Sequence, residues 1–106
     1  MEKTLKFTDN GKEYTLAFTR DSVIATERAG FDINEAFSKP IFSLTTLWRG
    51  AFLEHHDSLT IAEIDELLTR VKKEGLLEAL IDLYTAPVES LFGEENSKNA
   101  IAWTVN

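Results

Sequence analysis

The chain has 106 residues, 43% of them hydrophobic, and a formal net charge of −7. That length supports one domain with one core and excludes two. It contains no cysteine, which removes thiol catalysis, thiolate metal sites and disulfides, and its acidity opposes a basic nucleic-acid footprint or adsorption to an anionic membrane.

The charge is uneven. Residues 1–49 hold seven acidic and seven basic side chains, whereas residues 50–97 hold eleven acidic and three basic. Lysines interrupt the acids along helical faces, a pattern that suits solubility better than nucleic-acid mimicry. The first residues, Met-Glu-Lys-Thr-Leu-Lys, lack the apolar run of a signal peptide, and no stretch has the apolar length of a membrane span. The expected location is inside a cell.

Residues Lys3 to Phe18 spell a β-hairpin. Asn10-Gly11 supplies the two positive-φ positions of a type I′ turn. A two-residue loop sets Phe7 opposite Tyr14 and Leu5 opposite Leu16, on one face with Phe18, while Lys6, Thr8, Glu13 and Thr15 take the other. A lone hairpin is marginally stable, so the following helices must cover that face.

Thr19 is placed to cap a first helix with apolar positions Val23, Ile24, Ala25 and Ala29, ended by Gly30, after which Phe31 folds back. Residues 32–37 read as an extended link or a single turn. Pro40 opens a second helix, the most hydrophobic, whose stripe is Ile41, Leu44, Leu47, Trp48, Ala51, Phe52 and His55 and which is expected to run to about His55. Thr60 and Glu63 form a capping box for a third helix with stripe Ile61, Ile64, Leu67, Leu68 and Val71, stopped by Gly75. A fourth helix carries Leu76, Leu77, Leu80, Ile81, Leu83 and Tyr84. Pro87 then predicts either a kink or a restart through Val88, Leu91 and Phe92, the restart being the favoured reading. Residues 93–99 read as a loop. In 100–106, Ile101, Trp103 and Val105 alternate with Ala102 and Thr104, the pattern of a third strand, with a tail as the other reading. The fold class is α+β: one domain over 1–106, an antiparallel hairpin packed on about four helices.

Glu54-His55-His56-Asp57 is the one cluster with metal-ligand chemistry, but helical neighbours diverge by about 100° and do not converge on one ion. The pattern instead tucks His55 toward the core and leaves His56 at the helix end, where the dipole favours a protonated ring. Glu63 with Glu66, and Glu74 with Glu78, read as solvated faces. No nucleophile elbow of the Gly-x-Ser-x-Gly type and no phosphate-cradling Gly-rich loop is present. The sequence therefore reads as a non-enzyme, with no catalytic, cofactor-binding or metal-binding residues. Trp48, Phe52, Phe7, Tyr14 and Phe18 share the phase of the core. Trp103 stands apart, either completing the sheet or anchoring in another subunit.

Three fragments carry a resemblance: Asn10-Gly11-Lys12-Glu13-Tyr14, Thr19-Arg20-Asp21-Ser22-Val23, and Gly50-Ala51-Phe52-Leu53 before His55-His56. With the order of elements, they make the chain similar to small siphophage or prophage proteins of the tail assembly chaperone-like group. That resemblance implies a non-enzymatic protein in the cytoplasm of the bacterial host. It would bind the helical tape measure protein, help tail tube protein subunits polymerise around it, and form homo-oligomers. An amphipathic partner helix is then expected between helices two and four, with Trp48, Phe52 and Tyr84 as contacts and Trp103 as a further anchor. Two other readings stand beside it: a structural virion subunit of the head-tail or tail-completion kind, and a small acidic phage-encoded inhibitor of a host protein.

Overall fold

The computed structural model describes residues 2–92 and 101–105. In chain order these form β1 (Leu5–Asp9), β2 (Lys12–Leu16), α1 (Arg20–Arg28), a 3-10 turn (Ile33–Glu35), α2 (Pro40–Ala51), α3 (Ile61–Arg70) and α4 (Leu76–Phe92). The architecture is α+β, as the sequence predicts.

The hairpin has the expected register. Asn10 and Gly11 adopt φ of 50° and 81°, and Leu5 pairs with Leu16 and Phe7 with Tyr14. The Phe7 and Tyr14 rings stack at 5.0 Å between centroids. Because a two-residue turn makes Asp9 and Lys12 a hydrogen-bonded pair, the alternate residues Lys6, Thr8, Glu13 and Thr15 aim their backbone groups away from the partner strand. The outer edge of β2 meets the end of α2 instead of a third strand. Ala17 N–H donates to the Ala51 carbonyl at 3.1 Å, and Thr15 N–H donates to His56 Nε2 at 3.0 Å.

That closure explains why α2 ends at Ala51, short of His55. A longer helix would have the His55 N–H on the Ala51 carbonyl, which Ala17 occupies. The chain turns instead, with Leu53 N–H on the Gly50 carbonyl and His56 N–H on the Phe52 carbonyl. The two histidines consequently exchange their expected roles. His56 packs against Tyr14 and Phe52, with ring centroids at 5.3 and 5.9 Å, whereas His55 faces outward to the Glu2 carboxylate.

Helix α2 is the centre of the core and packs against α1, α3 and α4. Leu47, Trp48, Ala51 and Phe52 are fully buried. The Trp48 indole N–H donates to the Ile64 carbonyl of α3 at 2.8 Å, so its one polar atom is satisfied in the interior. On the α4 side, Tyr84 stands edge-on to Phe18 at 5.3 Å and to Phe31 at 4.8 Å. No buried side-chain nitrogen or oxygen among the described residues lacks a hydrogen-bond partner.

Several boundaries and faces depart from the sequence reading. Helix α1 buries Ser22, Val23 and Thr26 and leaves Ile24 half-exposed, because the Thr26 hydroxyl satisfies itself on the Ser22 carbonyl at 2.7 Å. Its N-terminus is closed by a reciprocal pair between Thr19 and Ser22. Helix α3 stops at Arg70, not Gly75, since Val71 turns extended with its side chain against the core. Helix α4 runs continuously through Pro87, so of the kink and the restart expected there, the restart is not met. Proline there removes a single ladder donor, and packing of Leu83, Tyr84 and Val88 on the core carries the helix past it. Ile41, expected in the α2 stripe, is exposed. Residues 101–105 form no strand and the sheet has two, so the third-strand reading of 100–106 is not met in the described residues. The expected loop at 93–99 lies outside them.

Gly50 sets the α1–α2 crossing. A Cβ there would sit 2.1 Å from Thr26 Oγ1 and 3.1 Å from Phe18 Cε1. Gly50→Ala is expected to lower unfolding stability by about 1–3 kcal/mol through overpacking. Adding Thr26→Ala removes the nearest clash, so the double variant measured by urea unfolding should lose less than the sum of the two singles.

Candidate protein-binding surface

Three of the four residues expected to meet a partner lie in the core. Trp48 and Phe52 are fully buried and Tyr84 is 4% exposed, because α2 and α4 pack directly on one another. Burial pushes the Tyr84 phenol up to about 12, with the Glu27 and Asp32 charges adding to it. These side chains cannot contact another protein in this conformation. Trp103 is 79% exposed and is available.

The open apolar surface is on a different face of α2. Besides the core-facing stripe of Leu44, Leu47, Trp48 and Ala51, continued by Phe52, this helix carries a second helical row at 42, 46, 49 and 50, which Leu53 in the following turn extends. That row borders a cleft of about 310 Å³ between α1, the end of α2 and the start of α3. Ala25 and Ala29 of α1 are its low wall, and Gly50 admits the close helix approach beneath it. Phe42 (46% exposed), Leu53 (44%) and Ile61 (57%) stand around it as large apolar side chains that the fold leaves in solvent. Phe42 is held over Gly30, whose φ is 106° and where a Cβ would approach the ring to 3.1 Å.

Two polar contacts fix the geometry of this surface. Arg49 grips Asp65 with both ends of its guanidinium, Nε to Oδ1 at 2.9 Å and Nη2 to Oδ2 at 2.6 Å, which ties α2 to α3 at the cleft. The hydrogen bonds from Arg49 hold the Asp65 carboxyl below its usual range. At the start of α3, Thr60 and Glu63 form the expected capping box, and the Thr60 backbone N–H, then its hydroxyl, lower the Glu63 carboxyl. His56 lines the inner end of the cleft while its Nε2 accepts the Thr15 N–H. That nitrogen is therefore unprotonated.

The sequence reading missed this cleft because it assigned α2 a single apolar face. The signal was present: Phe42 and Leu53 are apolar, out of phase with the Trp48 stripe, and in phase with Gly50. Among the described residues no group of three or more His, Asp or Glu converges as a metal would require, and no helix is long and apolar enough to cross a membrane. Glu63, Asp65, Glu66, Glu78, Asp82 and Glu89 of the second half lie on α3 and α4, with Glu66 paired to Arg70 at 2.8 Å.

The fold is thus a small α+β domain in which a hairpin packs on a four-helix layer through α2 and the end of α3, and an apolar cleft opens beside the central helix. The chain belongs to the family described as domain of unknown function DUF5055, whose model matches residues 1–106. No curated protein and no solved structure matches it.

His56 gives a prediction about pH. Burial, then the charges of Lys12 and His55, hold its pKa below the ordinary 6.5. As pH falls, the unfolded chain takes up the proton first, so the contribution of His56 is complete above about 6.5 and is lost as pH drops through the lower folded value. Urea unfolding from about pH 7.5 to 5 should show stability falling with acidification. In His56→Gln that dependence should be shallower.

Proposed function

We propose that this protein is a non-enzymatic binding module that seats an amphipathic helix of a partner protein in the cleft between α1, α2 and α3. The observation that carries the reading is the row of Phe42, Leu53 and Ile61, three large apolar side chains left in solvent around one cleft while the neighbouring core is closed. An amphipathic helix presents side chains at i, i+3, i+4 and i+7 to such a cleft. Asp57 at the border and Glu54 next to Leu53 favour a partner with basic residues flanking its apolar stripe.

The resemblance to tail assembly chaperone-like proteins supplies the partner: the tape measure protein of a siphophage or prophage tail, bound in the bacterial cytoplasm while tail tube subunits assemble around it. Covering an apolar stripe on a long helical protein keeps that protein from aggregating, and the net charge of −7 keeps the complex soluble. Relative to the α2–α4 groove expected from sequence, the docking face moves to Phe42, Leu53 and Ile61.

Co-expression with the tape measure protein tests the reading. The wild-type chain should raise its soluble yield and co-purify with it, and the double variant Leu53→Asp/Ile61→Asp should reduce capture at least about tenfold, since buried unpaired charges cost several kcal/mol at an interface. Both substituted positions are solvent-facing, so thermal unfolding of the variant should stay within a few degrees of wild type. Equal solubility and capture with and without the substitutions would contradict the proposal. Mass spectrometry of purified virions should find the chain absent, whereas a structural subunit would be retained.

A further inference from the structure

The two edges of the hairpin are treated differently. On β2, the outward N–H groups of Thr15 and Ala17 are taken by His56 and the Ala51 carbonyl. On β1, the outward backbone groups of Lys6 and Thr8 have no hydrogen-bond partner among the described residues, and both residues are exposed. An exposed row of unpaired strand groups is a template for another strand. Beside this edge lies a small cleft of about 120 Å³, walled by Phe7 of β1, by Leu67 of α3 and by Val71 just after it, with the Asp9–Arg70 ion pair at its border.

The same chain contains a segment of strand type with nothing covering it. Ile101, Trp103 and Val105 alternate with Ala102 and Thr104, carry no charge, and are 89%, 79% and 87% exposed. Three such side chains on a five-residue segment are costly in water and have the spacing of one face of a strand.

We infer that residues Ile101–Val105 of a second copy of this chain add to the open edge of β1 as a third, antiparallel strand. The backbone pattern of each side fits the other. With Trp103 opposite Phe7, the backbone groups of Thr104 meet Lys6 and those of Ala102 meet Thr8, the two residues of β1 whose groups point outward. That register turns Ile101, Trp103 and Val105 to the helix-covered side and leaves Ala102 and Thr104 facing solvent with Lys6 and Thr8. Trp103 enters over Phe7, Leu67 and Val71 as the bulky anchor of the contact. Within one chain this segment is uncovered, so the donor is the partner copy. Reciprocal exchange closes a two-fold dimer, because each copy holds one free edge and one free strand.

Self-association of this kind is independent of the cleft at Phe42, Leu53 and Ile61. Light scattering with size exclusion on the full-length chain should give a mass that rises with concentration to twice that of the monomer. Trp103→Ala should weaken this at least tenfold, and Thr8→Pro, which removes an outward N–H at the edge, should do the same. The chain has no native cysteine, so the register is read by mixing Thr8→Cys chains with Ala102→Cys chains bearing a different tag. Directly opposed strand residues lie within disulfide reach, and the mixed disulfide should exceed either self-disulfide several-fold. A monomer at every concentration, association unchanged by both Trp103→Ala and Thr8→Pro, or an internal disulfide in monomeric Thr8→Cys/Ala102→Cys would each overturn the inference.

Discussion

The structure depends on how the end of α2 closes the outer edge of β2. Two bonds do this, Ala17 N–H to the Ala51 carbonyl and Thr15 N–H to the His56 ring. A two-stranded sheet has two rows of unpaired groups, and here the end of α2 takes the Thr15 and Ala17 N–H groups of one of them. Hiding the β2 row uses the last helical carbonyl of α2, so the helix stops, the chain turns, and His56 is drawn inward while His55 goes to the surface. It also seats the hairpin over Trp48 and Phe52, where Phe7, Tyr14 and the two α2 aromatics form one cluster with ring centroids 5.0 to 6.4 Å apart. The β1 row is left open as a direct result.

Local chemistry made the hairpin, the caps and the helix starts legible. Asn10-Gly11 admits few turns, and the turn fixes the register by counting. Thr19, Pro40 and Thr60 each begin a helix for reasons contained within four residues. The helix ends were less legible because they answer to distant groups. Ala17, far from α2 in sequence, takes the carbonyl that ends it, and Val71 leaves the helix to reach the core. Pro87 shows the opposite failure, since a local breaker is overridden by burial on both sides of it. Three of the expected contact residues are buried for a related reason. Trp48, Phe52 and Tyr84 are the largest apolar side chains in phase with the core, and the phase that marked them for attention is the phase that buries them.

What remains on the surface follows from α2 serving two faces. Its inner row closes the core against α3, α4 and the hairpin, and its second row, with Gly50 allowing α1 to come close, is too shallowly covered to hide Phe42 or, in the turn that follows, Leu53. Arg49 and Asp65 hold the walls in place, and the satisfied indole of Trp48 fixes α3 from within. A cleft whose walls α1 and α3 both pack on α2 is pre-formed, which would lower the ordering cost of the proposed docking. The domain thus divides its apolar residues between an interior that is closed and a cleft that stays open, with an unpaired strand edge on the far side of the hairpin.

Backbone amide hydrogen exchange on the dilute chain tests the edge closure most directly. Thr15 and Ala17 should exchange slowly, near the rate set by global unfolding, while Lys6 and Thr8 in the same hairpin exchange fast. Thr15 and Ala17 exchanging as fast as Lys6 and Thr8 would mean that α2 does not close the sheet, and the account of the helix end, the histidines and the open edge would fall with it.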